Sequence, residues 1–224
     1  MRFPIAWPFA LISLVSSVAI AGQALAADAP GAGATSPAAP LSGPQWSQSA
    51  LDENVFFFGG RFHSNWFWDS FWPVGVPYEG NYFLGAGYQK FLAHTDYGVS
   101  YGIETGLGLR VGADGTSQSS GEIWGGGVAR LDGWTVLDNW HIAPSLTLGL
   151  SFVSAPIGIE AERAETAPKP VGMLVYMAPE VSLHALDTPN VEYFARIQHR
   201  SGGLGLIMNF DGSNAVTAGV RFKF

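Results

Sequence analysis

The sequence predicts an all-β fold, an eight-stranded antiparallel transmembrane β-barrel. Three observations predict it: long segments in which apolar and polar residues alternate with period two, connections that alternate between long and short, and an amphipathic last segment ending on an aromatic residue. The clearest segment runs from Tyr97 to Val111. Its odd positions (Tyr97, Val99, Tyr101, Ile103, Thr105, Leu107, Leu109, Val111) form a largely greasy face, and its even positions are Gly98, Ser100, Gly102, Glu104, Gly106, Gly108 and Arg110. Strands in globular proteins usually run to roughly five or six residues. A segment this long instead suits a tilted strand, of which roughly nine to eleven residues lie within the hydrocarbon.

Taken in chain order, eight strands are expected near 54–62, 81–93, 97–112, 120–136, 140–154, 170–185, 190–201 and 213–224. The connections at 63–80, 113–119, 155–169 and 202–212 are long, whereas those at 94–96, 137–139 and 186–189 are short. In the fifth strand Ile142, Pro144, Leu146, Leu148, Leu150 and Phe152 alternate with Ala143, Ser145, Thr147, Gly149 and Ser151. In the sixth, Val171, Met173, Val175, Met177, Val181 and Leu183 share one face. The polar faces carry mostly small residues, as a narrow barrel interior requires. An even strand number brings both termini to the end with the short turns. The last strand places Val216, Ala218, Val220, Phe222 and Phe224 on one face, a terminal pattern of the kind that outer-membrane assembly machinery reads.

Composition agrees. Charged residues are 13% of the chain, about half the roughly 25% of a soluble domain, and 47% are hydrophobic. A formal charge of −7 leaves no basic stripe for phosphates, so a nucleic-acid partner is not expected. The absence of cysteine excludes disulfides, thiolate zinc sites and cysteine nucleophiles. Residues 1–26 read as a cleaved signal peptide: Arg2, an apolar stretch from Phe3 to Ala21, and the A-x-A pattern Ala24-Leu25-Ala26, with an uncleaved anchor as the alternative. Residues 27–50 form a flexible leader rich in Pro, Ala and Gly, and residues 51–224 form the barrel. Export and barrel together place the protein in the bacterial outer membrane.

Eight strands enclose a lumen that side chains fill, which disfavours a solute channel and moves function to the loops or the outer wall. In the seventh strand Val191, Tyr193, Ala195 and Ile197 face lipid, while Glu192, Arg196 and Gln198 face the lumen, where Glu192 and Arg196 are expected to pair. The same parity puts His199 and Ser201 on the lipid face at the strand's external end, and Asn214 of the last strand on that face beside them; Ser213 points inward and Asp211 lies in the loop. A serine hydroxyl becomes a nucleophile when a base takes its proton, histidine is the usual base, and Asn can orient the imidazole. The plain alternative is that these side chains only decorate the interfacial girdle.

The run His199-Arg200-Ser201-Gly202-Gly203-Leu204, followed by Asp211-Gly212-Ser213-Asn214 and a closing strand, resembles the C-terminus of outer-membrane lipid A 3-O-deacylases and of proteins described as acyloxyacyl hydrolase-like. Looser similarity extends to Gly59-Gly60-Arg61, Tyr78-Glu79-Gly80-Asn81-Tyr82, Ser120-Gly121-Glu122-Ile123-Trp124-Gly125-Gly126 and Pro156-Ile157-Gly158-Ile159-Glu160. The resemblance implies an eight-stranded barrel that hydrolyses an acyl ester of lipid A in lipopolysaccharide without cofactor or metal, with Ser201 as nucleophile and His199 as base. Two positions depart from the family: its acid is Asn214 here, and the Asn that follows its Ser is Gly202, whose backbone N–H is expected to serve in the oxyanion hole. Asp211 is the fallback third member. A non-catalytic structural or adhesive barrel with a degenerate site is the alternative function.

Elsewhere, His63-Ser64-Asn65 is not expected to form a dyad, because adjacent strand residues point to opposite faces. Trp66, Phe67, Trp68, Phe71 and Trp72 are read as an aromatic girdle or lipid-contacting lid. His94, His141 and His184 lack metal-ligand spacing. Glu160, Glu162, Arg163 and Glu165 read as a solvated external loop.

Overall fold

The computed structural model describes residues 52–112 and 119–224. The signal peptide and the leader lie outside the described residues. Eight antiparallel strands form the barrel: β1 (Glu53–His63), β2 (Tyr78–His94), β3 (Val99–Gly112), β4 (Ser119–Leu131), β5 (Trp140–Val153), β6 (Met173–Ala185), β7 (Val191–Ser201) and β8 (Asp211–Lys223). Each strand pairs with the next, β4 pairs β5 from Glu122↔Val153 to Arg130↔Ser145, and β1 pairs β8 from Asn54↔Lys223 to His63↔Asn214, which closes the cylinder. Closure removes every free strand edge, the condition for a sheet to stand in hydrocarbon.

The expected fourth strand is interrupted. Its last part, Trp134–Val136, pairs with Trp140–Ile142 after a break at Asp132-Gly133. Gly133 has φ +76°, and a Cβ there would stand 1.9 Å from the Ile142 carbonyl oxygen, so the kink demands glycine. Leu137 and Asp138 then take positive φ, the twist that a tight hairpin needs.

The alternation sorts as the period requires. Leu84, Ile103, Leu107, Leu109, Ile123 and Leu148 point out and are exposed, giving the wall an apolar surface of the kind that lipid covers. Inside, Phe56, Phe58, Phe83, Trp124, Tyr176 and Phe194 pack together across the lumen. Small residues make the room: a Cβ on Gly87 or Gly106 would stand 2.2 Å from the ring of Phe56 or Trp124.

The interior is more highly charged than a face of small residues would be. Arg110, Arg196, Arg200 and Arg221 are among the largest fully buried side chains. Arg196 does not pair with Glu192. It donates to Glu104 at 2.7 Å and to Glu180 at 2.9 Å, while Glu192 takes Arg130 at 2.6 Å, Lys223 at 2.5 Å, and Arg221. Residues four apart on a strand are separated by about 13 Å, so partners across the lumen are nearer than partners along the chain. Arg196 also lies over the rings of Phe56 and Phe58, with centroids 4.8 and 5.4 Å away.

Glu160 overturns the reading of its loop as solvated. A short helix, α1 (Ile159–Ala164), turns the Glu160 side chain down into the mouth of the barrel, where it is fully buried. It accepts from Arg110 Nη2 at 2.8 Å, Ser213 Oγ at 2.7 Å, and Arg200 Nη1. The interior charges thus recruit a carboxylate from a loop, and that loop caps the mouth. Burial pushes the Glu160 carboxyl up, but the Arg110 and Arg200 guanidiniums outweigh burial and hold it below the usual carboxylate value. A depressed carboxyl contributes stability that is present above its unfolded pKa and lost as pH falls through the folded one. Glu160→Gln is therefore expected to destabilise the barrel at neutral pH by about 3–5 kcal/mol, the scale for breaking a buried ion cluster. The difference between the two proteins, read from urea unfolding in detergent micelles, should shrink only below the ordinary glutamate range.

Candidate active site on the outer wall

At the end carrying the long loops, three strands bring polar residues into one outward row. His63 of β1 is in register with Asn214 of β8, and Asn214 is in register with His199 of β7. Strand parity points all three outward. None is open, because the first long loop lies over them: His63 and Asn214 are 0% exposed and His199 is 5% exposed.

The covering element is a 3-10 helix, Phe67–Phe71. Its Phe67 ring packs on the His199 ring with centroids 4.6 Å apart. Ser70 Oγ lies 2.8 Å from His63 Nε2, and Asn214 Nδ2 donates to the Asn65 carbonyl at 3.0 Å. Arg163 of α1 donates to the Ser64 carbonyl at 3.0 Å and to Asp211 Oδ2 at 2.9 Å, so the third long loop braces the first. Trp66, Trp68, Phe71 and Trp72 remain exposed around this cover, as do Leu204 and Leu206 on the last loop.

His199 and Asn214 are in direct contact, with Nδ1 and Oδ1 2.6 Å apart. The amide's orientation follows from its other bond: Nδ2 faces the Asn65 carbonyl, so Oδ1 faces the ring and accepts. Imidazole Nδ1 therefore carries the hydrogen, and in the neutral ring Nε2 carries the lone pair. That is the tautomer a general base needs.

Ser201 closes β7. Residues two apart share a face of a strand and are spaced about 6.7 Å along it, so Ser201 lies next to His199 on the wall. Its Oγ accepts the Gly203 N–H at 3.3 Å, and among the described residues no hydrogen bond joins it to His199. The register shifts by one between Arg200 and Ser201, leaving Ser201 opposite Asp211. The Asp211 carboxylate is held by Arg163 and not by the imidazole, so the fallback third member is otherwise engaged. The Gly202 amide is engaged too: it donates to the Phe210 carbonyl at 2.7 Å and closes the last loop, and so does not stand free for an oxyanion. A Cβ at position 202 would stand 1.9 Å from the Met208 carbonyl oxygen, which is the local reason for glycine there.

Ser64 does not reach His63, in keeping with the strand alternation; the hydroxyl beside His63 comes from Ser70 instead. The sequence holds a weak signal for it, since Asp69 and Ser70 are the polar residues within the aromatic run 66–72. Among the described residues no cluster of His, Cys, Asp and Glu could hold a metal ion.

No family model matches the chain, and no curated protein matches it. Solved structures similar to it include Neisserial surface protein A, with 12% identity over 77% of this chain and 97% of that one and a TM-score of 0.47. The outer membrane enzyme PagL is 13% identical over 77% of this chain and 99% of its own, with a TM-score of 0.44. Ail, the attachment invasion locus protein of Yersinia pestis, is 9% identical over 78% and 99%, with a TM-score of 0.37.

Proposed function

We propose that this chain is an outer-membrane hydrolase that removes an ester-linked acyl chain from lipid A in the outer leaflet. The observation that carries this reading is the short His199–Asn214 bond, which fixes the ring with its basic nitrogen free. Ser201 Oγ attacks the ester carbonyl as His199 Nε2 takes its proton. The ring returns that proton to the departing sugar hydroxyl, leaving an acyl-serine. Water activated by the same nitrogen then releases the fatty acid. Lipid diffusing along the wall reaches the row from the side, its acyl chains taking the place of Phe67 against the imidazole. The long loops face the cell exterior, and the final strand ending at Phe224 is what the outer-membrane assembly machinery would engage.

The packing of Phe67 on His199 favours a second reading, a non-catalytic structural or adhesive barrel in which the imidazole only anchors the aromatic cover. Mass spectrometry of lipid A from expressing cells separates the two. Wild type should yield lipid A lacking one acyl chain, and Ser201→Ala should leave it intact; identical spectra would leave the structural reading standing. Asn214→Asp should raise the deacylation rate by about tenfold or more, because a carboxylate stabilises the imidazolium that an amide does not. A rate unchanged or lowered by that substitution would remove Asn214 from the role given to it here.

A further inference from the structure

We propose a second hydrolytic site, built from Ser100, His94 and Asp52 at the opposite mouth of the barrel, where the short turns lie. His94 ends β2 and Ser100 stands opposite it in β3, so the two are cross-strand partners on either side of a tight turn. Thr95 holds that turn: its Oγ donates to the Val99 carbonyl at 2.8 Å and accepts the Val99 N–H at 3.0 Å. Asp52 immediately precedes β1, and its carbonyl takes the Phe91 N–H at 2.8 Å, which fixes it beside the end of β2.

These placements make one continuous chain of contacts. His94 Nδ1 lies 2.7 Å from Ser100 Oγ, and His94 Nε2 lies 3.0 Å from Asp52 Oδ1. An ionised carboxylate only accepts, so Nε2 carries the hydrogen and Nδ1 is left to take the Ser100 proton. The two ring nitrogens exchange the roles they have in the familiar serine-protease triad, and the proton logic is the same. Hydroxyl and base are therefore in hydrogen-bond contact here with a carboxylate 3.0 Å from the ring, whereas on the outer wall only base and orienting amide touch.

The three residues line a cavity of about 300 Å³, together with Phe91, Arg130, Asp132 and Lys223. Arg130 is the partner of Ser100 on its other side, in β4. Its terminal nitrogens are bound to Glu192 and Ser182, so it lines the cavity as an already paired guanidinium. The cavity opens at the end of the barrel and not on its apolar wall, and its volume suits a small molecule. The substrate class is thus a short-chain acyl ester of a water-soluble alcohol. Ser100 Oγ adds to the carbonyl carbon as its proton passes to His94 Nδ1. The alcohol departs with that proton, and water, deprotonated by His94, displaces the carboxylic acid and restores the serine.

The test uses the full chain, folded in detergent micelles, treated with a short-chain fluorophosphonate and digested with trypsin. The peptide Phe91–Arg110 contains one serine, Ser100, and Ser201 falls on a different peptide, Ser201–Arg221, so the two sites are read separately in one digest. An adduct on Ser100 is expected, formed at least about tenfold more slowly in Asp52→Asn and abolished in His94→Ala. Folding of each variant is checked by its heat-dependent electrophoretic mobility. Turnover of p-nitrophenyl acetate should fall in the same order. Absence of the Ser100 adduct in the folded wild type, or equal labelling rates in wild type and folded Asp52→Asn, would overturn the proposal. Either result leaves the outer-wall reading to its own lipid A measurement.

Discussion

The structure depends on reconciling a narrow, closely packed lumen with the charges inside it. Eight strands leave room for side chains and little else. Arg110, Arg196, Arg200 and Arg221 are nonetheless buried in that space. An unpaired guanidinium there would be strongly destabilising, so each is met by carboxylates projecting from several strands or from a loop. Glu104, Glu180 and Glu192 tie β3, β6 and β7 to Arg196 and Arg221 on β7 and β8. The bonds run across the lumen as well as along the ladder. They fix the relative rotation of strands that hydrogen-bonded pairing alone would allow to slip.

The same constraint shapes the loop end. Arg110 and Arg200 draw Glu160 down, which places α1 at the mouth and Arg163 where it grips Asp211 and the Ser64 carbonyl. Arg163 in turn braces the first loop, whose Phe67 covers His199. The cover over the candidate site is thus coupled to interior charge through one short helix. A ligand reaching His199 from the wall would have to displace Phe67 against this chain of contacts. Access to His199 is therefore a property of the whole mouth.

Much of this was legible in the sequence because a barrel writes its faces with period two. The positions of the strands, the alternation of loop lengths, and the outward parity of His199, Ser201 and Asn214 all follow from that period. Three features did not follow. Glu160 reads as one more charge in a loop, because its pairing with Arg110 and Arg200 depends on where α1 turns its side chain. Ser70 reaches His63 through a 3-10 helix that no periodic pattern announces. Asp52, His94 and Ser100 are three common residues whose meeting depends on hairpin register and barrel closure, and linear spacing does not encode it. The departures at Gly202 and Asn214 were visible as residues. What they do was not: the engaged Gly202 amide and the amide–imidazole bond are tertiary facts.

The packed lumen also sets what the two mouths can share. Phe58, Phe83, Trp124 and Tyr176 plug the cylinder between them, with the Arg–Glu network around the plug. A molecule at one mouth meets these packed side chains before it reaches the other. On the proposals above, alcohols and acids released at either mouth would stay on the side where they form, and the barrel would act as an insulator between two chemically separate surfaces.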